Sequence, residues 1–265
     1  MDRLTGWVAK AALVFLYVPI VAVVVYSFNA SETSSRWGGF SVKWYGEVFT
    51  DRALLKTLQT SFTVGAIAAA VATTVGFLTA FGLARYRVKG RTLFLGAVLL
   101  PLVLPEIVLG AALLTVFSTV QLPLGIPTIV LGHIVISLPL TTLILMGAIS
   151  SLDSSLSEAS ADLGCTPWQT FIRVLFPLLR SSIFAAFLLA FTTSFSNIVI
   201  STFTSGVGST TLPLRIYSLL KTGITPEINA LGAMLIVATV LLIFAVGIQQ
   251  MRRILVGYEN AGQSS

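Results

Sequence analysis

Glu106 stands in Leu100-Pro-Leu-Val-Leu-Pro-Glu-Ile107, an otherwise apolar run. Pro101 and Pro105 each remove a backbone donor and loosen a helix passing through them. Freed carbonyls beside one carboxylate make a place for a cation. The competing reading is a structural glutamate paired with a nearby donor, within the chain or across a dimer. Two prolines beside an acid favour the first, because a discontinuous helix is a common way to build a transport site. A second polar group interrupts another apolar run, Thr192-Thr-Ser-Phe-Ser-Asn197 followed by Ser201-Thr-Phe203. Small hydroxyls in apolar helices mostly allow close packing. Ser194, Ser196 and Asn197 are nonetheless dense for one helix, and with Glu106 they form a candidate polar path through the apolar runs. His133 stands alone and reads as a packed residue. With no second histidine and Cys165 far away, no His/Cys metal site is expected. Nor does the sequence offer paired intramembrane acids, a His-rich motif, a Ser/His dyad or a Gly-x-x-x-x-Gly-Lys-Ser/Thr run. The expectation is a chain without catalytic residues and without a cofactor.

These residues need elements to hold them, and composition sets the class. The 265 residues are 55% hydrophobic and 10% charged, with mean hydropathy +0.94. Soluble domains carry about a quarter charged residues. Several runs exceed the roughly 18 apolar residues of a bilayer span. The chain is therefore predicted to be an all-α polytopic membrane protein. A β-barrel would alternate polarity in short segments, which this sequence does not do. A single cysteine excludes an intrachain disulfide framework.

Six spans are predicted: Lys10 to Phe28, Leu58 to Ala84, Leu93 to Thr119, Thr128 to Ser150, Leu178 to Phe203 and Ala230 to Gln250. The first apolar run resembles a signal-peptide core but is long for one and lacks a clear cleavage site, so it reads as a retained span. The turn Gln121-Leu-Pro-Leu-Gly-Ile-Pro127 links the third to the fourth, and one membrane domain over residues 1–265 is expected. The net charge of +6 comes from bases at the ends of apolar runs, which reads as topology rather than a nucleic-acid partner. Arg85-Tyr-Arg-Val-Lys-Gly-Arg91 holds four bases and no acid, Arg252 and Arg253 follow the last span, and residues 120–127 carry no charge. That bias places both termini and the 85–92 loop in the cytoplasm, although the long Asn29–Thr57 loop has bases too. Trp37, Trp44 and Tyr45 in that loop read as interface anchors. Leu212 to Lys221 reads as a short surface helix on the outer side. Thr225-Pro226-Glu227 reads as the start of the sixth helix.

The stretch from 151 to 177 is polar, punctuated and, by this topology, cytoplasmic. Ser155 and Glu158 have capping-box spacing, Gly164 suits a left-handed stop, and Thr166-Pro-Trp-Gln169 repeats the start signal. Pro177 follows where the fifth span begins. The segment thus spells helix, tight turn, helix, membrane. Glu158 and Asp162 lie four apart on one helical face, and no base occurs between Ser151 and Ile172. A helix lying on anionic head groups would be basic, so a protein partner is favoured.

Glu158-Ala-Ser160, Gly164 and Val174-x-Phe176-Pro177 resemble the EAA loop of the permease subunits of bacterial ABC importers. That pattern is Glu-Ala-Ala, three residues, Gly, nine residues, Ile-x-Leu-Pro. The spacing holds here, with Ser160 for the second Ala, Val174 for Ile and Phe176 for Leu. Tyr17-Val-Pro-Ile20, Tyr26-Ser-Phe-Asn29, Trp44-Tyr45, Tyr86-Arg-Val-Lys-Gly90, Leu212-Pro-Leu-Arg-Ile-Tyr-Ser218 and Pro226-Glu-Ile-Asn-Ala230 resemble the PotC-like, spermidine/putrescine-type branch. The resemblance implies the MetI-like fold of type I importers in the bacterial inner membrane. It also implies a coupling loop whose Glu158, Ala159, Ser160, Asp162, Gly164 and Pro177 seat against a cytoplasmic ATPase dimer. A second, different permease, surrounding lipid and a periplasmic substrate-binding protein would complete the assembly, and the translocation path would follow the fifth helix. Polyamine-type relatives carry an acidic pair where this chain has Ser196-Asn197. Either the partner permease supplies the acids, or the substrate is less charged, such as an amino-acid derivative or opine.

Two rival classes fit less well. A stand-alone secondary transporter of a small organic cation or amino acid would show inverted repeats and leave the polar loop without a task. A membrane-embedded enzyme would need the catalytic constellations noted as missing.

Overall fold

The computed structural model describes residues 2–32, 36–86, 88–223, 226–241 and 244. Among them the secondary structure is helical apart from one isolated β-bridge between Asn29 and Phe40. Among the described residues four helices are long and apolar enough to cross a membrane, and a bent pair makes a fifth if counted as one span. The all-α membrane class is borne out. The expected sixth span is helical over Pro226–Leu241, and its remainder, Phe244 apart, lies outside the described residues, as do Arg87, Thr225, Arg252 and Arg253.

Contacts divide the chain into two compact units, residues 1–55 with 218–265, and residues 56–217. In the first unit, α1 (Asp2–Tyr26) runs into a loop and then α2 (Lys43–Thr50). That second helix was not expected. Trp44 is not an interface anchor: it is buried, and its indole Nε1 donates to the Asn29 carbonyl at 2.7 Å. The Asn29 amide donates to the Arg36 carbonyl at 2.8 Å, and its side-chain oxygen accepts from the backbones of Ser31 and Gly38. The Tyr45 hydroxyl bonds Ser27 Oγ at 2.7 Å. These aromatics fold the loop onto the end of α1. The helix α12 (Pro226–Leu241) belongs to the same unit, and a side chain at Gly232 would meet Val23 of α1.

The second unit holds both candidate sites. Its first helix, α3 (Arg52–Arg85), is capped by Asp51, whose Oδ1 accepts from the backbones of Ala53 and Leu54. The expected third span is not one helix. It divides into α4 (Arg91–Val103) and α5 (Glu106–Thr119), bent by 109°. Proline pushes its preceding residue out of helical geometry, and Leu104 before Pro105 has ψ 138°. A tight connection leads to α6 (Ile126–Ser150), then the short α7 (Ser155–Asp162) and α8 (Pro167–Thr170). A π turn at Phe171–Leu175 continues into α9 (Phe176–Ser196), so residues 167–196 form one 30-residue helical rod. The expected fifth span also breaks, at Asn197 and Ile198, before α10 (Val199–Thr204). Next comes α11 (Leu212–Thr222), close to the expected surface helix. The Ser61 hydroxyl accepts from the Leu212 backbone at 2.7 Å and ties that helix start to α3.

Small residues set the helix spacing. A Cβ on Gly76 would lie 2.4 Å from Thr141 Oγ1, and that hydroxyl donates to the Ala72 carbonyl at 2.9 Å, joining α6 to α3. Ala80, Leu145 and Ala186 form a core where α3, α6 and α9 meet. A second core of Leu109, Ile136 and Ile200 lies between α5, α6 and α10.

Candidate functional site

The two helix breaks meet. Asn197, the residue after α9, donates from Nδ2 to Glu106 Oε1 at 2.8 Å, and Glu106 is the first residue of α5. A carboxylate at a helix start is favoured by the positive end of the helix dipole. The side-chain oxygen of Asn197 has its own task. It accepts from the Ile200 backbone at 2.8 Å and the Ser201 backbone at 3.4 Å, covering donors at the start of α10. That cap leaves only the amide NH2 to face Glu106. The glutamate is exposed while Asn197 is buried, so the pair stands where the core meets the surface. Behind it, Gly110 packs so close to Phe203 that a Cβ would come within 2.5 Å of the ring.

His133 is the residue that sequence reasoning undervalued. It is 1% exposed, with Nδ1 2.6 Å from Ser194 Oγ and Nε2 3.0 Å from Ser201 Oγ. One serine precedes the break in the helix and the other follows it, so the imidazole clasps both halves. Ser201 Oγ donates to the Asn197 carbonyl at 3.1 Å. Its oxygen is then the acceptor from His133 Nε2–H, and Ser194 donates to Nδ1. The expectation that no Ser/His pair exists is therefore corrected. All three residues are buried with their polar atoms engaged, which is a structural clasp rather than an exposed nucleophile and base. The pairing was invisible because 61 and 68 positions separate the partners. The candidate Ser194 belongs to this clasp. Ser196 faces outward and its hydroxyl returns to the Thr192 carbonyl at 2.8 Å.

The elbow forms from local signals. Gly164 has φ +81°, a left-handed stop with nothing near a would-be Cβ. Thr166 caps α8: Oγ1 accepts from the Gln169 backbone at 3.3 Å, and the Gln169 side chain accepts from the Thr166 backbone at 2.9 Å. The predicted Ser155–Glu158 capping box does not form. Ser155 is already helical, and Asp153 Oδ1 takes its backbone N–H at 2.9 Å. That N–H, then the Ser155 hydroxyl, holds the Asp153 carboxyl below the usual carboxylate range. Ser160 is buried, and its hydroxyl bonds Thr170 Oγ1 at 2.7 Å, stapling α7 to α8. An alanine could not make this link. Arg85, at the end of α3, donates to Ser157 Oγ. Glu158, Ala159 and Asp162 face solvent, as does Leu163 at 85% exposure on the tip. Pro177 falls in the first turn of α9, just past the π turn in which Phe176 N–H reaches back to the Phe171 carbonyl. The five-residue reach accommodates a proline that lacks a donor of its own. No group of three or more His, Cys, Asp and Glu is arranged to hold a metal among the described residues.

Comparison with known proteins agrees with this architecture. The chain is 38% identical over 229 residues to the Haemophilus influenzae spermidine/putrescine transport system permease protein PotC, covering 86% of this chain and 89% of that one. PotC of Escherichia coli K12 is 34% identical over 242 residues, covering 91% and 92%. The K12 putrescine transport system permease protein PotI is 36% identical over 229 residues, covering 84% and 82%. Two solved structures share the fold. A chain of a bacterial ABC transporter involved in import of the acidic polysaccharide alginate superposes with TM-score 0.67 at 15% identity, covering 94% of this chain and 96% of that one. A chain of the alginate transporter in complex with its alginate pentasaccharide-bound periplasmic protein gives 0.69 at 16%, covering 92% and 94%. Residues 72–255 match the family described as binding-protein-dependent transport system inner membrane component, and the chain belongs to that family.

Proposed function

We propose that this chain is one permease half of an ABC importer that carries a polyamine or related small amine into the cell. It works beside a different second permease, a periplasmic binding protein and a cytoplasmic ATPase dimer. The chain crosses the inner membrane six times as a single domain, with both termini and the 151–177 elbow in the cytoplasm. Glu158, Ala159, Ser160, Asp162, Gly164 and Pro177 form or hold the surface that seats in the ATPase, with Leu163 as its apolar tip. Glu106, Ser194, Ser196 and Asn197 lie on the substrate path.

One observation carries this reading: the elbow and the Asn197–Glu106 junction are two ends of the same rod, residues 167–196. A substrate ammonium competes with the Asn197 amide for the Glu106 carboxylate, because a charge-assisted hydrogen bond is stronger than a neutral donor's. Its arrival opens the Asn197–Glu106 hydrogen bond, while the apolar packing of α10 on α5 persists. ATP-driven motion enters at the other end, where Ser160 and Gly164 keep the elbow stiff. The chain itself forms and breaks no covalent bond.

Co-purification tests the coupling. The ATPase subunits are expected to come down with the wild-type chain and to be lost on Gly164→Val or on Glu158→Lys. Retention through both changes would sink the docking assignment. Cys165, the single cysteine, reports the side independently. A membrane-impermeant maleimide is expected to label it in inside-out vesicles and not in intact spheroplasts.

A further inference from the structure

We propose that the junction between the end of α3 and the elbow is a binding site for one anionic phospholipid. Two cavities adjoin there and share Arg85 and Tyr86. The first, about 590 Å³, is an apolar cleft walled by Leu78, Phe81, Trp168 and Phe171. The second, about 550 Å³, is rimmed by Arg85, Lys89 and Arg91. Among the described residues no acid lines either cavity. Side by side they have the amphipathic outline of a phospholipid, with a cationic seat for a phosphate and an aromatic slot for the upper acyl chain.

Depth agrees with this occupant. The 34 residues of α3 extend about 51 Å at 1.5 Å per residue, against a hydrocarbon core of about 30 Å. Its last turns therefore emerge at head-group level, where basic pockets meet anionic lipid. Arg85 is already oriented: it donates to Ser157 and lies 5.9 Å from the centre of the Phe81 ring. A guanidinium carries five N–H donors, so others remain for a phosphate. The cleft is also faced by Ser157, Ala161 and Cys165 of the elbow, so a bound lipid braces α7 against α3. A peptide partner would leave the basic rim without a counter-charge in the absence of acids along its length.

The site rests on the cytoplasmic placement of the elbow, and the test separates the two. The assembled importer is delipidated, offered phosphatidylglycerol or phosphatidylcholine, and weighed by native mass spectrometry. One phosphatidylglycerol is expected to be retained per copy, at least tenfold more tightly than phosphatidylcholine. Arg85→Gln with Lys89→Gln is expected to abolish that preference, and Arg85→Lys to preserve most of it. Leu78→Trp, which fills the apolar slot with the bases intact, is expected to weaken retention. Equal retention of both lipids, indifference to both the basic and the Leu78 changes, or displacement of the lipid when ATPase docks would each overturn the site. Cys165 labelled from the periplasm would instead overturn the orientation; cytoplasmic labelling without lipid preference overturns only the lipid site.

Discussion

Asn197 divides its two polar ends between two jobs, and substitutions separate them. Asn197→Asp retains an oxygen to cap α10 but sets a second carboxylate beside Glu106. Two acids that close repel unless a cation or proton lies between them. The expected outcome is higher uptake of a dicationic amine relative to a monocation, read by competition in vesicles; unchanged preference would remove this helix from the path. Ser160 and Thr170 suit a double-mutant cycle. Removing the Ser160 hydroxyl takes this partner from buried Thr170 at a cost of about 1–2 kcal/mol, removing that of Thr170 leaves Ser160 its bond to the Ser157 carbonyl at 3.0 Å, and removing both costs less than the sum. Ser160→Ala, Thr170→Val and the pair together are expected to show that coupling in the thermal stability of the importer. At Asp153 the sign is set by a folded carboxyl held below its unfolded value. Its stabilisation is present above the unfolded pKa and fades as pH falls through the folded one. Asp153→Asn keeps the acceptor without the titration. The hydrogen-exchange protection of the Ser155 amide, corrected for intrinsic rate, is expected to fall with acid in the wild type and stay level in this variant.

At the scale of elements, legibility followed range. Gly164, Thr166 and Gln169 announce the elbow because their partners lie within three residues. Pro101 and Pro105 announce a loosened third span, though not a 109° bend, whose size depends on what α5 packs against. The break at Asn197 carries no proline or glycine. It is held by His133 and Glu106, brought there from two other stretches of chain, with Ser201 one turn beyond the break, so no local pattern marks it. Trp44 was misplaced for the same reason, its acceptor being 15 residues upstream. Helix spacing makes a prediction at this scale. Gly76→Val drives carbon into Thr141 and the Thr142 backbone, and overpacking of this kind costs about 1–3 kcal/mol. Lower yield of folded chain is expected, with Gly82→Ala, whose Cβ meets nothing within 4 Å, as the tolerated control beside Gly76→Ala.

For the whole molecule, the rod from Pro167 to Ser196 matters more than any one contact. Thirty residues at 1.5 Å per residue give about 45 Å, enough to run from one face of a bilayer into its far half. No loop intervenes to take up slack, and the π turn lets Pro177 sit within it without severing it. An unbroken helix also carries angular phase. Inserting one alanine midway, for instance after Ala185, advances everything beyond by about 100° and swings Asn197 away from Glu106, while the proposed ATPase contact stays intact. Nucleotide hydrolysis would then idle, turning over without solute moving, as a key cut one notch out of register still turns in a worn lock but lifts no pin.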